Sequence, residues 1–297
     1  MAMSTIIDMA SVRGLVPKRR ADAHKGTFGH LCVIAGSRGF TGAAKLACEA
    51  AARSGVGLVT AAVPESLGDL IGASLLEAMS FLLPATESES IAHNAIEPAL
   101  AFAASKDAVV IGPGLSQHPD TCAFVLEFVR RCPVPTLVDA DGLNALSANP
   151  SALLQAAGPR VLTPHPGEMA RLTAQTTAYI QENRETVASA FAAQYRCVVV
   201  LKGYETVVAG KGEIYINTTG NAGLATGGTG DVLSGLIGGL LAQGVKELQA
   251  AILGVYLHGL AGDIAAAAKT QRGMIARDVI ETIPEAWKRI EELGVRS

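Results

Sequence analysis

The sequence predicts an α/β protein in which a mainly parallel sheet is covered by helices on both faces. Short runs of β-branched and other apolar residues recur along the chain, and alanine-rich stretches of high helix propensity lie between them. The runs do not alternate with polar residues, which is typical of strands buried on both faces. The predicted strands are Leu31–Ala35, Gly57–Val63, Ala108–Gly112, Thr136–Ala140, Arg160–Thr163 and Cys197–Leu201.

The order of the elements favours a doubly wound sheet in a single domain over residues 1–297, with 1–20 as an N-terminal extension. After Lys202 two closely spaced strands, 206–209 and 213–216, are joined as a hairpin. We expect this hairpin to form an antiparallel edge of the sheet. The predicted helices include 42–54, 183–195, 229–243, 247–268 and 284–293.

Composition excludes several classes of partner. A chain of 297 residues with 49% hydrophobic and 17% charged residues can bury a large core. Its formal net charge of -3 is spread along the chain, so we expect neither nucleic acid nor an anionic membrane as a partner. The most apolar stretch, 250–268, is interrupted by His258 and Asp263, which favours a buried core helix over a membrane span.

Cysteine usage and the N-terminal charges predict a cytoplasmic protein. Five cysteines are scattered without CxxC pairs and are predicted to be buried free thiols in a reducing compartment. Arg13 and Lys18–Arg20 follow the first apolar residues, which is the reverse of a secretory signal.

The segment Ala225-Thr-Gly-Gly-Thr-Gly-Asp231 is the strongest candidate for a catalytic loop, and it directly precedes an apolar helical run. Its glycines let the backbone approach an oxyanion closely, and the start of the helix adds free amides and a positive dipole end. Asp231 could accept the proton of a substrate hydroxyl while that oxygen attacks phosphorus. An isolated Asp in this position could instead only stabilise the helix dipole, and the glycines alone could form a tight turn.

Further candidates follow the predicted strands, where ligands collect in parallel sheets. Each also has a structural interpretation: Gly39–Gly42 and Gly112–Gly114 could be ordinary loops, and Lys202 could be a solvated lysine. His165 lies between two prolines, which suits a ligand contact, although a lone His is often structural. Glu168 could arrange Mg²⁺ and its waters or cap a helix. Asp139 could contact metal or phosphate through water, and Asp141 is expected to cap a helix; no direct metal ligand is assigned.

In sequence order, these motifs resemble the ADP/ATP-dependent NAD(P)H-hydrate dehydratases of the ribokinase-like superfamily. The resemblance covers nearly the whole chain and implies a ribokinase-like fold. It also implies a hydro-lyase that phosphorylates the C6 hydroxyl of the 6S hydrate of NADH or NADPH with ADP or ATP, after which phosphate leaves. The supporting stretches are Lys25–His30, Phe40–Ala44, Arg53–Thr60, Gly112–Leu115, Val138–Asn144, Leu162–Glu168, Leu201–Thr206 and Asn217–Gly235.

The resemblance assigns roles to individual positions. It implies that Ala43, Gly114, His165 and Asp231 contact the hydrated dinucleotide, with Asp231 as the catalytic residue. It also implies a homotetramer. Mg²⁺ is expected to accompany the nucleotide, and the length of the chain leads us to expect the hydrate epimerase as a separate protein. Ser116 departs from the family, which commonly has a glycine there. Nine positions, in the stretch after the strand that ends at Leu201 and in the glycine-rich loop, are assigned to nucleotide binding: Lys202, Gly203, Tyr204, Glu205, Thr206, Gly227, Gly228, Thr229 and Gly230.

Two other functions remain open on the sequence. A ribokinase-like small-molecule kinase acting on a vitamin-type alcohol could use the same Gly-Thr-Gly-Asp segment, and a non-catalytic nucleotide sensor could keep the fold. The fate of the phosphoryl group distinguishes the kinase from the dehydratase. A sensor, in contrast, has no use for the base at Asp231.

Overall fold

A computed structural model describes residues 4–292 as one ten-stranded sheet with helices on both faces. The strand order is β1-β10-β9-β8-β7-β6-β5-β2-β3-β4, and among these strands β9 alone runs opposite to its neighbours. The strands are β1 Thr5–Ile7, β2 His30–Ile34, β3 Leu58–Pro64, β4 Met79–Leu83, β5 Ala108–Ile111, β6 Thr136–Val138, β7 Arg160–Leu162, β8 Val198–Leu201, β9 Thr206–Gly210 and β10 Glu213–Asn217.

The helices divide between the two faces and enclose two apolar cores. Helices α2, α10, α11 and α12 contribute to one core, and α4, α5, α7 and α9 contribute to the other. Their bounds are α1 Met9–Arg13, α2 Thr41–Arg53, α3 Gly68–Gly72, α4 Ile96–Ala103, α5 Pro119–Arg131, α6 Asp141–Ser147, α7 Pro166–Thr173, α8 Thr177–Glu182, α9 Arg184–Tyr195, α10 Thr229–Ala242, α11 Glu247–Lys269 and α12 Ala276–Glu292.

The mainly parallel α/β fold predicted from the apolar runs is confirmed, and all eight predicted strands are present within one or two residues of their expected bounds. The expected antiparallel edge is wrong. The hairpin of β9 and β10 forms, but Thr5–Ile7 pairs parallel with the outer side of β10 and becomes the last strand there. A three-residue strand is too short for its apolar pattern to be distinguished from the sequence alone.

The last helix also begins earlier than predicted. Pro284 suggested a first helical position, where proline is common, but it lies inside α12, which begins at Ala276. The start is fixed instead by the Asp278 side chain, which accepts a hydrogen bond from the Ile275 amide at 2.8 Å. The predicted end, 293, lies outside the described residues.

Helix α11 is long and apolar enough to cross a membrane by length and composition, but 72% of its most apolar window is buried inside the protein. The prediction of a core helix is therefore confirmed. The cysteines are free thiols, as predicted, and burial raises the pKa of Cys32 and of Cys197 to about 12. Cys122 differs from the prediction because it is only partly buried.

Close packing of α10 on α2 fixes the start of α10 over the sheet. A Cβ atom at Gly235 would lie 2.1 Å from the backbone oxygen of Ala47, so only glycine permits this approach. Because α10 also packs against β5, its first turn is held at the carboxyl edge of the central strands.

Candidate active site

Polar residues meet at the carboxyl ends of β6, β7 and β8, beside the first turn of α10. Asp139 follows β6, Thr163 to His165 follow β7 and Lys202 follows β8. These three strands are adjacent and parallel, so the residues that follow them lie at one edge of the sheet. A Cβ built on Gly230 would lie 3.6 Å from Lys202 Nζ and 3.9 Å from Asp139 Oδ2. The structure thus brings the glycine-rich loop and these predicted residues together.

The glycine-rich loop turns directly into α10. Gly228 precedes the helix with φ of +91°, a left-handed conformation that favours glycine. The Thr229 hydroxyl donates to the backbone oxygens of Leu224 and Thr226, at 2.7 and 2.9 Å, and closes the loop. The first amides of a helix have no intrahelical partner, so those of this turn can meet an anion. Gly227 is exposed, and the loop is therefore open to a ligand from solvent.

Asp231 is a mostly buried carboxyl in the first turn of α10. Its pKa is raised to about 7: burial contributes most, the nearby charges of Asp139 and Asp141 also raise it, and the charge of Lys202 lowers it. A general base is most effective when its pKa lies near the working pH. The position and the pKa together make Asp231 suited to accept a proton close to a bound phosphoryl group.

Lys202 is not a solvated lysine but the centre of a buried ion pair. Its Nζ lies 2.8 Å from Asp139 Oδ1 and 3.8 Å from Glu168 Oε2. The second oxygen of Asp139 accepts a hydrogen bond from the Ser234 hydroxyl at 2.7 Å. Burial alone lowers the pKa of Lys202, but the attraction of Asp139, Glu168 and Asp231 outweighs it and raises the pKa above its ordinary value. The ammonium group is therefore positively charged at neutral pH, and it lies beside the glycine-rich loop.

His165 and Glu168 cap helix α7 reciprocally. His165 Nδ1 accepts hydrogen bonds from the Gly167 and Glu168 amides, and Glu168 Oε2 accepts one from the His165 amide at 2.7 Å. Burial lowers the pKa of His165, as do the charges of Lys202 and Arg171, and this favours the neutral ring. Burial raises the pKa of Glu168 to about 7 against the charge of Lys202. The cap interpretation of both residues holds in this structure, and half of the His165 side chain stays exposed for a ligand.

Ala43 and Gly114 meet at a second part of the same edge. Gly114 has φ of +61°, and a Cβ there would lie 2.8 Å from the Phe40 backbone oxygen and 3.0 Å from Ala43 Cβ. The Ser37 hydroxyl donates to the Gly114 oxygen at 2.8 Å and fixes the turn. Phe40 keeps 57% of its surface exposed beside this contact. Two residues predicted to bind the same ligand thus touch, although their roles remain predictions.

Asp141 does not cap a helix as expected. The residue before α6 is Ala140, and Asp141 is the first residue of α6. Its carboxylate accepts hydrogen bonds from the Ser116 amide at 2.9 Å and from Asn144 Nδ2 at 3.2 Å. Ser116, where the family commonly has glycine, takes a left-handed φ of +72°. Asp141 therefore stabilises the turn after Gly114 and adds negative charge near Asp231.

Residues 203–205 form an exposed turn between β8 and β9, and the partly buried Lys202 and Thr206 lie on either side of it. Gly203 has φ of +142° and Glu205 has φ of +53°, and the Tyr204 side chain is 89% exposed. The Arg184 guanidinium donates to the backbone oxygens of Leu201 and Lys202, at 2.9 and 3.3 Å, and braces the turn. Sequence reasoning missed Arg184, because an arginine at a helix start carries no signal of a contact with a distant turn.

His258 is a second residue whose position the sequence did not reveal. It lies on α11 beside the backbone of Thr229, and burial lowers its pKa to about 4. Its Nε2 is buried and has no hydrogen-bond partner within residues 4–292. The only sequence signal was a polar residue that interrupts an apolar helix.

Comparisons with known proteins agree on one family. The model of the family described as NAD(P)H-hydrate dehydratase matches residues 31–285. The chain is 46% identical over 288 residues to the bifunctional NAD(P)H-hydrate repair enzyme of Moorella thermoacetica, a match that covers 97% of this chain and 54% of that protein. The chain thus spans about half the length of the bifunctional relatives it matches.

Solved structures give the same result. The crystal structure of the ADP/ATP-dependent NAD(P)H-hydrate dehydratase from Bacillus subtilis, co-crystallised with ATP and Mg²⁺, matches with a TM-score of 0.81 and 33% identity, covering 97% of this chain and 99% of that one. A ribokinase-like superfamily protein from Enterococcus faecalis matches with a TM-score of 0.82 and 26% identity, covering 97% and 96%. The chain therefore belongs to the NAD(P)H-hydrate dehydratase family and has the ribokinase-like fold.

Proposed function

We propose that this protein dehydrates the 6S hydrate of NADH or NADPH at the expense of ADP or ATP, giving NADH or NADPH, AMP or ADP, and phosphate. The observation that carries the proposal is Asp231, a mostly buried carboxyl with a pKa raised to about 7, which lies in the first turn of α10 directly after the glycine-rich loop. Base and anion site share one turn of one helix. Membership of the hydrate dehydratase family supports this substrate.

In the proposed reaction a phosphoryl group activates the hydroxyl that leaves. Asp231 accepts the proton of the C6 hydroxyl while that oxygen forms a bond to the terminal phosphorus, and the bond from this phosphorus to the nucleotide breaks. The C6–O bond then breaks and phosphate leaves with the electron pair. Loss of a proton from the neighbouring carbon restores the double bond of the dihydronicotinamide.

Two groups of residues are proposed to hold the two substrates. Ala43, Gly114 and His165 contact the hydrated dinucleotide together with Asp231, and the contact between Ala43 and Gly114 supports a common subsite. Lys202 to Thr206 and Gly227 to Gly230 line the adenine nucleotide. The proximity of Gly230 to Lys202 supports this assignment, because the amides of the loop and the ammonium can act on the same phosphate.

Mg²⁺ is proposed to enter with the nucleotide. Within residues 4–292 no group of three or more His, Cys, Asp or Glu side chains is arranged to hold a metal. Asp139 and Glu168, two carboxylates at this edge of the sheet, already face Lys202. This set fits an ion that keeps phosphate oxygens and waters as its main ligands, with Asp139 and Glu168 holding those waters. Bound there, Mg²⁺ would neutralise part of the phosphate charge.

The test is recovery of the reduced nicotinamide, run separately with ADP and with ATP. Hydrated NADH or NADPH is mixed with the protein, Mg²⁺ and one nucleotide, and the absorbance of the reduced ring is followed together with free phosphate. We expect equal amounts of NADH or NADPH and phosphate, and the faster nucleotide is the better donor. A stable phosphorylated alcohol without recovered absorbance would contradict the proposal and favour the small-molecule kinase.

Replacing Gly114 by Ala is expected to raise KM for the hydrate about tenfold or more, with a smaller effect on KM for ADP. The added Cβ would displace Phe40 or Ala43, which it would meet at 2.8 and 3.0 Å. Steady-state kinetics with each substrate varied in turn measures the effect.

Gly212→Ala is the matched control for this variant. Gly212 has a similarly left-handed φ of +83° in the hairpin, but nothing lies within 4 Å of its built Cβ. The Gly212→Ala variant therefore has the same kind of backbone strain as Gly114→Ala but leaves the proposed hydrate subsite unchanged. Equal KM values for the two variants would refute the placement of Gly114 in the hydrate subsite.

Association and location are also proposals. We propose a homotetramer, supported by exposed apolar side chains on and beside the edge strand β4, namely Leu70, Leu76, Met79 and Leu82. We propose a cytoplasmic location, supported by the five free cysteines, which are typical of a reducing compartment. A hydrate epimerase activity in the same pathway is proposed because relatives of about twice the length are named bifunctional repair enzymes.

A further inference from the structure

The segment that leads into the glycine-rich loop lies along one face of helix α11. Asn217 ends β10, and its Nδ2 donates to the Val255 backbone oxygen at 3.2 Å. The Thr219 hydroxyl donates to the Tyr256 backbone oxygen at 3.1 Å. Both side chains donate to backbone carbonyls of α11, and these hydrogen bonds hold the segment against the helix.

A glycine on α11 lets the segment approach the helix axis. A Cβ at Gly259 would lie 2.2 Å from Thr219 Oγ1 and 2.6 Å from the Thr219 backbone carbon. Any other residue there would push the segment away from the helix. The close approach of the segment to α11 therefore depends on glycine at position 259.

Asp263, one turn further along α11, holds the next two residues of the segment. Its Oδ2 accepts a hydrogen bond from the Gly220 amide at 2.9 Å, and its Oδ1 accepts one from Asn221 Nδ2, also at 2.9 Å. Both oxygens of this partly buried carboxylate are thus used by the segment before the loop. Hydrogen bonds to a charged group are stronger than those between neutral groups.

A chain of hydrogen bonds connects Asp263 with the first turn of α10. Asn221, held by Asp263, also accepts a bond from the Gly223 amide through Oδ1 at 2.9 Å and so starts the short turn Ala222–Leu224. The Leu224 oxygen ends that turn and accepts the Thr229 hydroxyl at 2.7 Å. Thr229 is the first residue of α10, and Gly230 and Asp231 follow it directly.

We propose that Asp263 is a positioning residue for the nucleotide site: it fixes the entry of the glycine-rich loop on α11 and thereby the placement of the loop amides beside Asp231. The inference rests on the proposed function in that the loop is the nucleotide site. Asp263 lies outside both proposed substrate sites, and it acts through Asn221 and Thr229.

The variant Asp263→Ala tests the proposal by calorimetric binding of ADP with Mg²⁺ and by kinetics. We expect Kd for ADP to rise about tenfold or more, because two charge-assisted bonds that hold the loop are lost. KM for ADP should rise in parallel, with a smaller change in KM for the hydrate. Asp263→Asn keeps one acceptor oxygen and should give intermediate values.

Thr282→Val controls for a purely structural role. The Thr282 hydroxyl donates to the Ala261 backbone oxygen at 2.8 Å, so its loss removes a hydrogen bond between α12 and α11 in which no residue of the loop takes part. This variant should lower Tm without changing Kd for ADP. If Asp263→Ala lowers only Tm and binds ADP like the wild type, the proposal is wrong. Should Asp263→Ala not fold, wild-type ADP affinity in Asp263→Asn overturns it equally.

The binding measurement also separates this inference from the proposed function. A wild-type protein that binds ADP but does not act on the hydrate would contradict the proposed function alone. Unchanged ADP affinity in both Asp263 variants would contradict this inference alone.

Discussion

Asp231→Asn is expected to lower kcat for hydrate dehydration by a factor of about 10² to 10⁴ while ADP binding is retained. The amide keeps the size of the side chain but cannot accept the hydroxyl proton. The first-turn amides and Lys202 remain in place, so the nucleotide keeps its partners. Single-turnover kinetics and ADP calorimetry on the same preparation measure both properties. Unchanged turnover would refute the role of Asp231 as the base.

The expected loss of turnover in Asp231→Asn does not come from unfolding of the variant. The pKa of Asp231 is raised to about 7 in the folded protein, so its ionisation costs stability as pH rises from the unfolded value towards 7. Asn removes that cost, and the variant should be at least as stable as the wild type at about pH 8. A lower Tm at that pH would mean that the carboxylate is held by interactions that outweigh its burial.

The pH profile of the wild type distinguishes two carboxyl groups. Activity should rise as pH increases through about 7, because the base must be ionised to accept a proton. Glu168 has a pKa raised to about the same value. The variant Glu168→Gln should therefore keep the rise in activity if Asp231 causes it, and a flat profile in that variant would assign the rise to Glu168.

The sequence was most informative where one local pattern determines the structure. Apolar runs such as Val198–Leu201 gave the strands because burial on both faces leaves no alternation. The Gly-Gly-Thr-Gly segment predicted the turn into α10, because glycines and a helix start form a recognisable pattern over a few residues. Met79–Leu83 was missed because it lacks β-branched residues and lies exposed at the edge of the sheet.

The contacts that set the chemistry of the site could not be predicted in this way. Lys202 and Asp139 are 63 residues apart, and Ser234 and Asp139 are 95 apart. From the sequence alone, each of these polar residues could equally lie at the surface without a partner. Only the strand order, which places β6, β7 and β8 side by side, brings Asp139 and Lys202 to one edge of the sheet. The raised pKa of Asp231 is likewise a property of this packing and not of its neighbours in sequence.

Lys202→Met is expected to lower the free energy of unfolding by about 3 kcal/mol and to weaken ADP binding. Met preserves much of the packing of the alkyl chain but removes the ammonium that faces Asp139 and Glu168. Asp139 is 1% exposed and would keep only the Ser234 hydroxyl as a side-chain partner among the described residues. A buried carboxylate without its partner lowers the free energy of unfolding by more than the intact ion pair raises it. Chemical denaturation and ADP calorimetry measure the two effects.

The pH dependence of this loss identifies its cause. Lys202 lowers the pKa of Glu168 against the effect of burial, so its removal raises that pKa further. A carboxyl whose pKa is raised by folding loses stability as pH increases, and the loss in Lys202→Met should therefore be larger at about pH 8 than at about pH 5. Lys211→Met removes the same charge from an exposed position in the hairpin and should change stability by less than about 0.5 kcal/mol at either pH. A loss in Lys202→Met that does not vary with pH would mean that packing of the alkyl chain, and not charge, stabilises this edge of the sheet.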